Sequence, residues 1–150
     1  MTSTVGSQAE AQIRELVADR ETAMQQADVE RLVARLAPET VRFGLAPPLA
    51  QSGPEVRDMN GLQTWFDTFD GPIEFEIRDL SVTAGADVGF CHSLNRLTAT
   101  PLGAPESFTL WFRSTLGLRK IDGTWQITHE HDSTPFYMDG SFNSAVDLQP

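Results

Sequence analysis

Glu130 and Asp132 stand two apart, interleaved with His129 and His131, near the end of a 150-residue chain. Successive side chains of a strand point to opposite faces, so the carboxyls share one face and the imidazoles the other. A carboxylate partly shielded from water has its pKa raised towards neutrality and can act as a general base. Glu130 is the leading candidate for that role; the bland alternative is a strand glutamate in solvent or in an ion pair. Just upstream, Asp122-Gly123 is a two-residue hairpin signal of type I′. A strict turn there sets Thr115 opposite Glu130 and Arg113 opposite Asp132. Trp111, Arg113, Thr115, Thr128, Glu130 and Asp132 then share one face, polar with one large aromatic, which suits a pocket. Phe108, Leu110, Phe112, Leu116, Leu118, Trp125, Ile127, His129 and His131 share the other. A bulge would exchange part of the two faces, because a one-residue slip turns every later side chain over.

Arg113 opposite Asp132 reads either as a cross-strand ion pair or as a guanidinium holding an anionic or enolate oxygen of a ligand. Arg20 falls on the stripe Ile13, Leu16, Val17, Arg20, Met24, which has helical spacing. It either snorkels from the edge of that stripe or reaches inward to meet Glu130, Asp132 or a ligand carboxylate, since a buried arginine needs a partner. His92 is a candidate acid, base or donor near neutral pH; the bland alternative is a satisfied buried histidine. With His129 and His131 it would make a three-histidine metal set. The expected register puts that pair on the apolar face, so no metal is expected. Trp65 and Trp111 either fill a core or stack on a ligand. Cys91 has only His92 beside it, and adjacent strand residues point apart, so no Cys-His dyad is expected. The chain has no phosphate-binding loop, dinucleotide fingerprint or G-x-S-x-G elbow.

These residues need elements to position them. Ser7-Gln-Ala-Glu10 reads as a capping box opening a helix over about 8–27. Asp28 caps a second helix with Leu32, Val33 and Leu36 as its apolar face, stopped by Pro38. Val41, Phe43 and Leu45 alternate as a short strand. Met59, Leu62, Phe66 and Phe69 mark a third helix closing near Asp70-Gly71. Strands follow. Ile73, Phe75 and Ile77 alternate with charges, and the phase then moves to Leu80 and Val82, which implies a bulge near Asp79. The next strands run over 88–98, 107–121 and 124–133. Residues 1–6 read as a frayed tail, and 135–150 as a tail docked through Phe136, Met138 and Phe142.

One domain accommodates 150 residues. Eleven basic against 21 acidic residues leave a net charge of −10. That balance argues against nucleic acid and anionic membranes, whose binders carry basic patches. No apolar stretch approaches the roughly 20 residues of a membrane helix, and no signal peptide is visible. A single cysteine excludes an internal disulfide framework. The expectation is a soluble, cytoplasmic, single-domain protein of α+β class, with a curved antiparallel sheet around three helices and a pocket at the open end.

Helix, helix, strand, helix and four strands, with Trp125-Gln-Ile-Thr-His-Glu-His-Asp-Ser133 after an Asp-Gly hairpin, resembles the NTF2-like superfamily. More narrowly it resembles its SnoaL-like, ketosteroid-isomerase-related group. Phe90-Cys-His-Ser-Leu-Asn-Arg96, Trp111-Phe-Arg-Ser-Thr115 and His129-Glu-His-Asp-Ser-Thr-Pro-Phe136 carry the likeness. The resemblance implies a cone-shaped fold, a homodimer, a small-molecule ligand and no cofactor. It also implies that His92 looks into the cavity. Two features depart from the ketosteroid isomerases. Phe43-Gly-Leu-Ala-Pro47, after the first strand, has no carboxylate to match their base, and the only tyrosine is Tyr137, in the tail. The reading is therefore an isomerase, cyclase or dehydratase acting next to a carbonyl. Glu130 would be the base, Arg113, His92 and Arg20 would steady the oxyanion, and Trp111, Thr115, Asp132 and Trp65 would contact the ligand. The alternative is a non-catalytic ligand-binding or oligomerisation module, a use that kinase association domains make of the same fold.

Overall fold

The computed structural model describes residues 4–150. Helix α1 (Thr4–Gln25) buries Ala9, Ile13, Leu16, Val17 and Ala23, which recur at helical spacing. It already includes residues 4–6, expected in the tail; the rest of that tail lies outside the described residues. Ser7 therefore sits inside the helix rather than capping it. Ala27 takes a left-handed φ of 51° and breaks the chain direction. Asp28 then caps α2 (Val29–Ala34) by accepting from the Arg31 amide.

Strand β1 (Leu36–Phe43) starts earlier than the alternation suggests and contains Pro38. The proline does not stop α2, which has already ended. It lies where the β1 register is irregular, between Leu36 and Val41, so its missing N–H is tolerated there. A short β2 (Gln51–Ser52) pairs with β1. Helix α3 (Met59–Phe66) is capped by Asp58 and stops at Asp67, short of Asp70-Gly71.

Four long antiparallel strands follow: β3 (Glu74–Ala84), β4 (Val88–Ala99), β5 (Phe108–Ile121) and β6 (Thr124–Ser133). The sheet order is β2-β1-β6-β5-β4-β3. The β1–β6 pairing is parallel, so the sheet is mixed rather than wholly antiparallel. Asp79 holds a φ of 56° where the β3–β4 register shifts, which is the expected bulge. Asp122 and Gly123 both have positive φ, as a type I′ turn requires.

The sheet wraps α1, and two apolar clusters fill the space between. Side chains of α1 also cover the open edge of β3. Glu21 accepts from the Ile77 amide at 2.6 Å, Gln25 donates to the Phe75 carbonyl at 2.8 Å, and Arg14 donates to the Leu80 carbonyl at 3.4 Å. Three edge groups are thereby satisfied without another strand. The C-terminal segment closes on itself, with Phe136 bridging to Ser144 and the Ala145 amide bonded to the Pro135 carbonyl. Ala145 is its buried residue, while Phe136, Met138 and Phe142, expected as its anchors, are exposed.

Candidate active site

The hairpin register decides what faces the helices. From Ile121↔Thr124 to Leu118↔Ile127 the pairing is that of a strict two-residue turn. It then shifts by one, to Gly117↔His129, Leu116↔Glu130 and Ser114↔Asp132. Thr128 is the extra residue of a bulge. Gly117 makes room for it: a Cβ there would lie 3.2 Å from the His129 Cβ. The expected sharing of a face is corrected accordingly. Glu130 and Asp132 face inward beside Ser114, Leu116 and Phe112, whereas Trp111, Arg113 and Thr115 face outward with His129 and His131. The expected Arg113–Asp132 pair does not form. His92 is also outward and exposed, because β4 directs Cys91, Ser93, Asn95 and Leu97 inward. Arg78 stacks its guanidinium 4.7 Å from the centre of the outward Trp111 ring.

The inward face closes over a cavity of about 500 Å³. Val17, Met24, Leu62, Phe75, Leu97 and Phe112 form apolar walls, and Trp65 stands half-open among the lining residues. The loop after β1, Gly44 to Pro47, contributes to the lining. At the polar end Glu130 lies between two guanidiniums. Arg20 Nη2 from α1 meets Oε2 at 3.4 Å, and Arg42 Nε from β1 meets Oε1 at 3.4 Å. The Arg42 contact is an ion pair without hydrogen-bond alignment, so Glu130 Oε1 keeps a free lone pair. Arg42 reaches this place because the parallel pairing sets it opposite Glu130.

Two carboxyls in one dry corner cannot both ionise cheaply. Burial alone would raise Glu130, but the Arg20 and Arg42 charges overcome it and hold the group down to about 2. Asp132 goes the other way: burial first, then the Glu130 charge, push it up to about 8. The Ser114 hydroxyl beside it offsets part of that rise. Asp132 Oδ1 is buried and has no hydrogen-bond partner among the described residues. The raised carboxyl is thus Asp132 rather than Glu130. Cys91, also on the wall, is pushed up to about 11 by burial, which keeps it a thiol. Among the described residues no three His, Cys, Asp or Glu side chains group to hold a metal ion.

The structure therefore brings Arg20, Glu130, Asp132 and Trp65 onto one cavity, and leaves His92, Trp111, Arg113 and Thr115 outside it. Arg42, Ser93, Asn95 and Ser114 were missed. For the last three a signal existed: polar residues at positions whose strand neighbours Cys91, Leu97, Phe112 and Leu116 are apolar and inward. For Arg42 there was none, since no local pattern announces a parallel partner.

A curved sheet wrapped around helices to leave a cavity is the architecture of the NTF2-like fold. Residues 13–137 match the model of the SnoaL-like domain, and the chain belongs to that family. An NTF2-like protein of unknown function from Pseudomonas putida is 30% identical, with 96% of this chain and 98% of that chain covered at a TM-score of 0.83. A ketosteroid isomerase-like protein from Erwinia carotovora atroseptica is 24% identical over 83% of this chain and 94% of that chain, with a TM-score of 0.69. An NTF2-like superfamily protein from Salmonella enterica is 18% identical over 90% and 96%, with a TM-score of 0.74. No curated protein matches the chain. No helix among the described residues is long and apolar enough to cross a membrane.

Proposed function

We propose that this protein is a cofactor-independent isomerase, cyclase or dehydratase that moves a proton next to the carbonyl of an apolar small molecule. The observation that carries the reading is Asp132, an acid held protonated near neutral pH beside ionised Glu130 at the polar end of the cavity. A group of that pKa can take and return protons under ordinary conditions. In its ionised form Asp132 takes a proton from the carbon next to the carbonyl. The C–H bond breaks, an O–H bond forms on Asp132, and the electron pair moves to the carbonyl oxygen. Arg20, whose charge is felt by both carboxyls, offers N–H donors to that oxygen. The proton then returns to another carbon, or to a departing hydroxyl, which leaves as water. Glu130 is a positioning residue in this scheme: its charge sets the Asp132 pKa, and Arg20 and Arg42 hold that charge in place. We also propose that the protein works as a homodimer through the outward face of the sheet, where Phe43, Val88 and Phe90 are exposed.

Proton exchange tests the reaction without knowledge of the product. With trans-1-decalone in D₂O, the wild type should speed deuterium uptake beside the carbonyl, followed by NMR. The rate should climb as pH rises through about 8. Asp132→Asn should lose about 100-fold or more of that rate. Equal exchange by this variant, or binding of the ketone with no exchange at all, would show a ligand-binding module rather than this enzyme.

A further inference from the structure

Asn95 takes no part in the proposed proton transfer. It lies on the cavity wall and is only 6% exposed. Ser93 Oγ, two residues back on the same face of β4, donates to Asn95 Oδ1 at 2.7 Å. With the oxygen engaged, the amide nitrogen is the free polar atom of the side chain. Among the described residues Nδ2 has no hydrogen-bond partner. The nitrogen opens onto the cavity, where a ligand oxygen can take its donor in place of water, while a ligand without such an oxygen leaves the donor unpaired.

Its position relative to Asp132 limits what such a ligand looks like. Ser93, Ser114 and Asp132 stand in register on neighbouring strands β4, β5 and β6. Two strand spacings, about 10 Å, thus separate the β4 station from Asp132 at the backbone. Asn95 lies one pleat further along, opposite Phe112. On β5 the two stations are separated by Phe112, opposite Asn95, and Ser114, opposite Asp132, so the span offers one aromatic wall and one hydroxyl. Glu55 and Asp58 also line the cavity and disfavour a second negative charge.

We propose that Asn95 is a second recognition point, donating a hydrogen bond to an acceptor oxygen at the end of the ligand remote from the reacting carbonyl. The ligand is then a neutral compound with two oxygens at opposite ends of a frame of about two fused rings. The proposal rests on the reading of Asp132 as the reacting end.

The test compares trans-decalin-1,6-dione with trans-1-decalone, which lacks the second oxygen, by titration calorimetry. The wild type should bind the dione roughly 3- to 10-fold more tightly, the worth of one hydrogen bond. Asn95→Leu should bring the ratio of the two affinities to about one, whatever it does to each affinity by itself. Asn95→Asp keeps the shape, replaces the donor by an acceptor, and should erase it too, which covers the case of a leucine variant that does not fold. Ser93→Ala frees the amide to rotate and should weaken the preference in part. A preference that survives both Asn95 variants, or a wild type that binds the two ketones equally or binds neither, would overturn the proposal. Asp132→Asn separates the two readings. It should keep the dione preference while losing deuterium exchange; if the preference depends on Asn95 but exchange survives Asp132→Asn, the recognition point stands and the acid–base reading falls.

Discussion

Glu130 and Asp132 are two residues apart in sequence and opposite in charge behaviour, and the difference lies in what touches each. Glu130 has two guanidiniums against it, whereas Asp132 has Glu130. The consequence for stability has a definite sign. The folded Asp132 keeps a proton up to about 8, while the unfolded chain releases it near 3.8. Its contribution is fully present below 3.8 and is lost as pH rises to about 8. Glu130 behaves oppositely: its contribution is present above 4.5 and is lost as pH falls towards about 2. Between pH 5 and pH 8 the melting temperature of wild type should therefore fall relative to that of Asp132→Asn, which has no proton to lose; parallel curves would refute the raised acid. Glu130→Gln should do more damage, because Arg20 has only 15% of its side chain exposed and would lose its partner. Breaking such a pair costs about 3–5 kcal/mol, which urea unfolding would measure.

At the scale of elements, the β6 bulge and the β3 edge decide the site. The bulge at Thr128 keeps the apolar half of β6, Trp125 and Ile127, on the same side as the acidic half, Glu130 and Asp132. Without it the helices would face His129 and His131. The edge contacts hold α1, and hence Arg20, against the sheet. Glu21 is the nearest anchor, one residue from Arg20 and bonded to the Ile77 amide. Glu21→Ala should cost about 1–3 kcal/mol, as expected when a charged acceptor is withdrawn. Hydrogen exchange would show it locally, as faster exchange of the Ile77 amide than of amides in β5; unchanged protection would mean that α1 is held by packing alone.

For the whole molecule, the outward sheet face carries Phe90, Gly117 and His129 in one row and His92, Thr115, His131 and Phe43 in the next. Residues expected to serve the ligand thus lie on the face proposed for a second copy. Sedimentation should give a dimer for the wild type and a monomer for Phe90→Glu, since a charge buried at the centre of such a contact is costly. A wild type that sediments as a monomer would remove the dimer. Much of the architecture was legible in the residues themselves. The order of helices and strands, the cap at Asp28, the bulge at Asp79, the Asp122-Gly123 turn and the common face of Glu130 and Asp132 depend on near neighbours in the chain, and backbone sterics and side-chain spacing settle them locally. Which groups meet that common face does not. Arg42 arrives through a parallel pairing between strands far apart in sequence, and one extra residue at Thr128 moved Arg113, Trp111 and Thr115 from the ligand side to the outside. Side chains alternate with a period of two, so a single added residue reverses a face; only the packed sheet, with Gly117 yielding space to His129, decided where that residue would go.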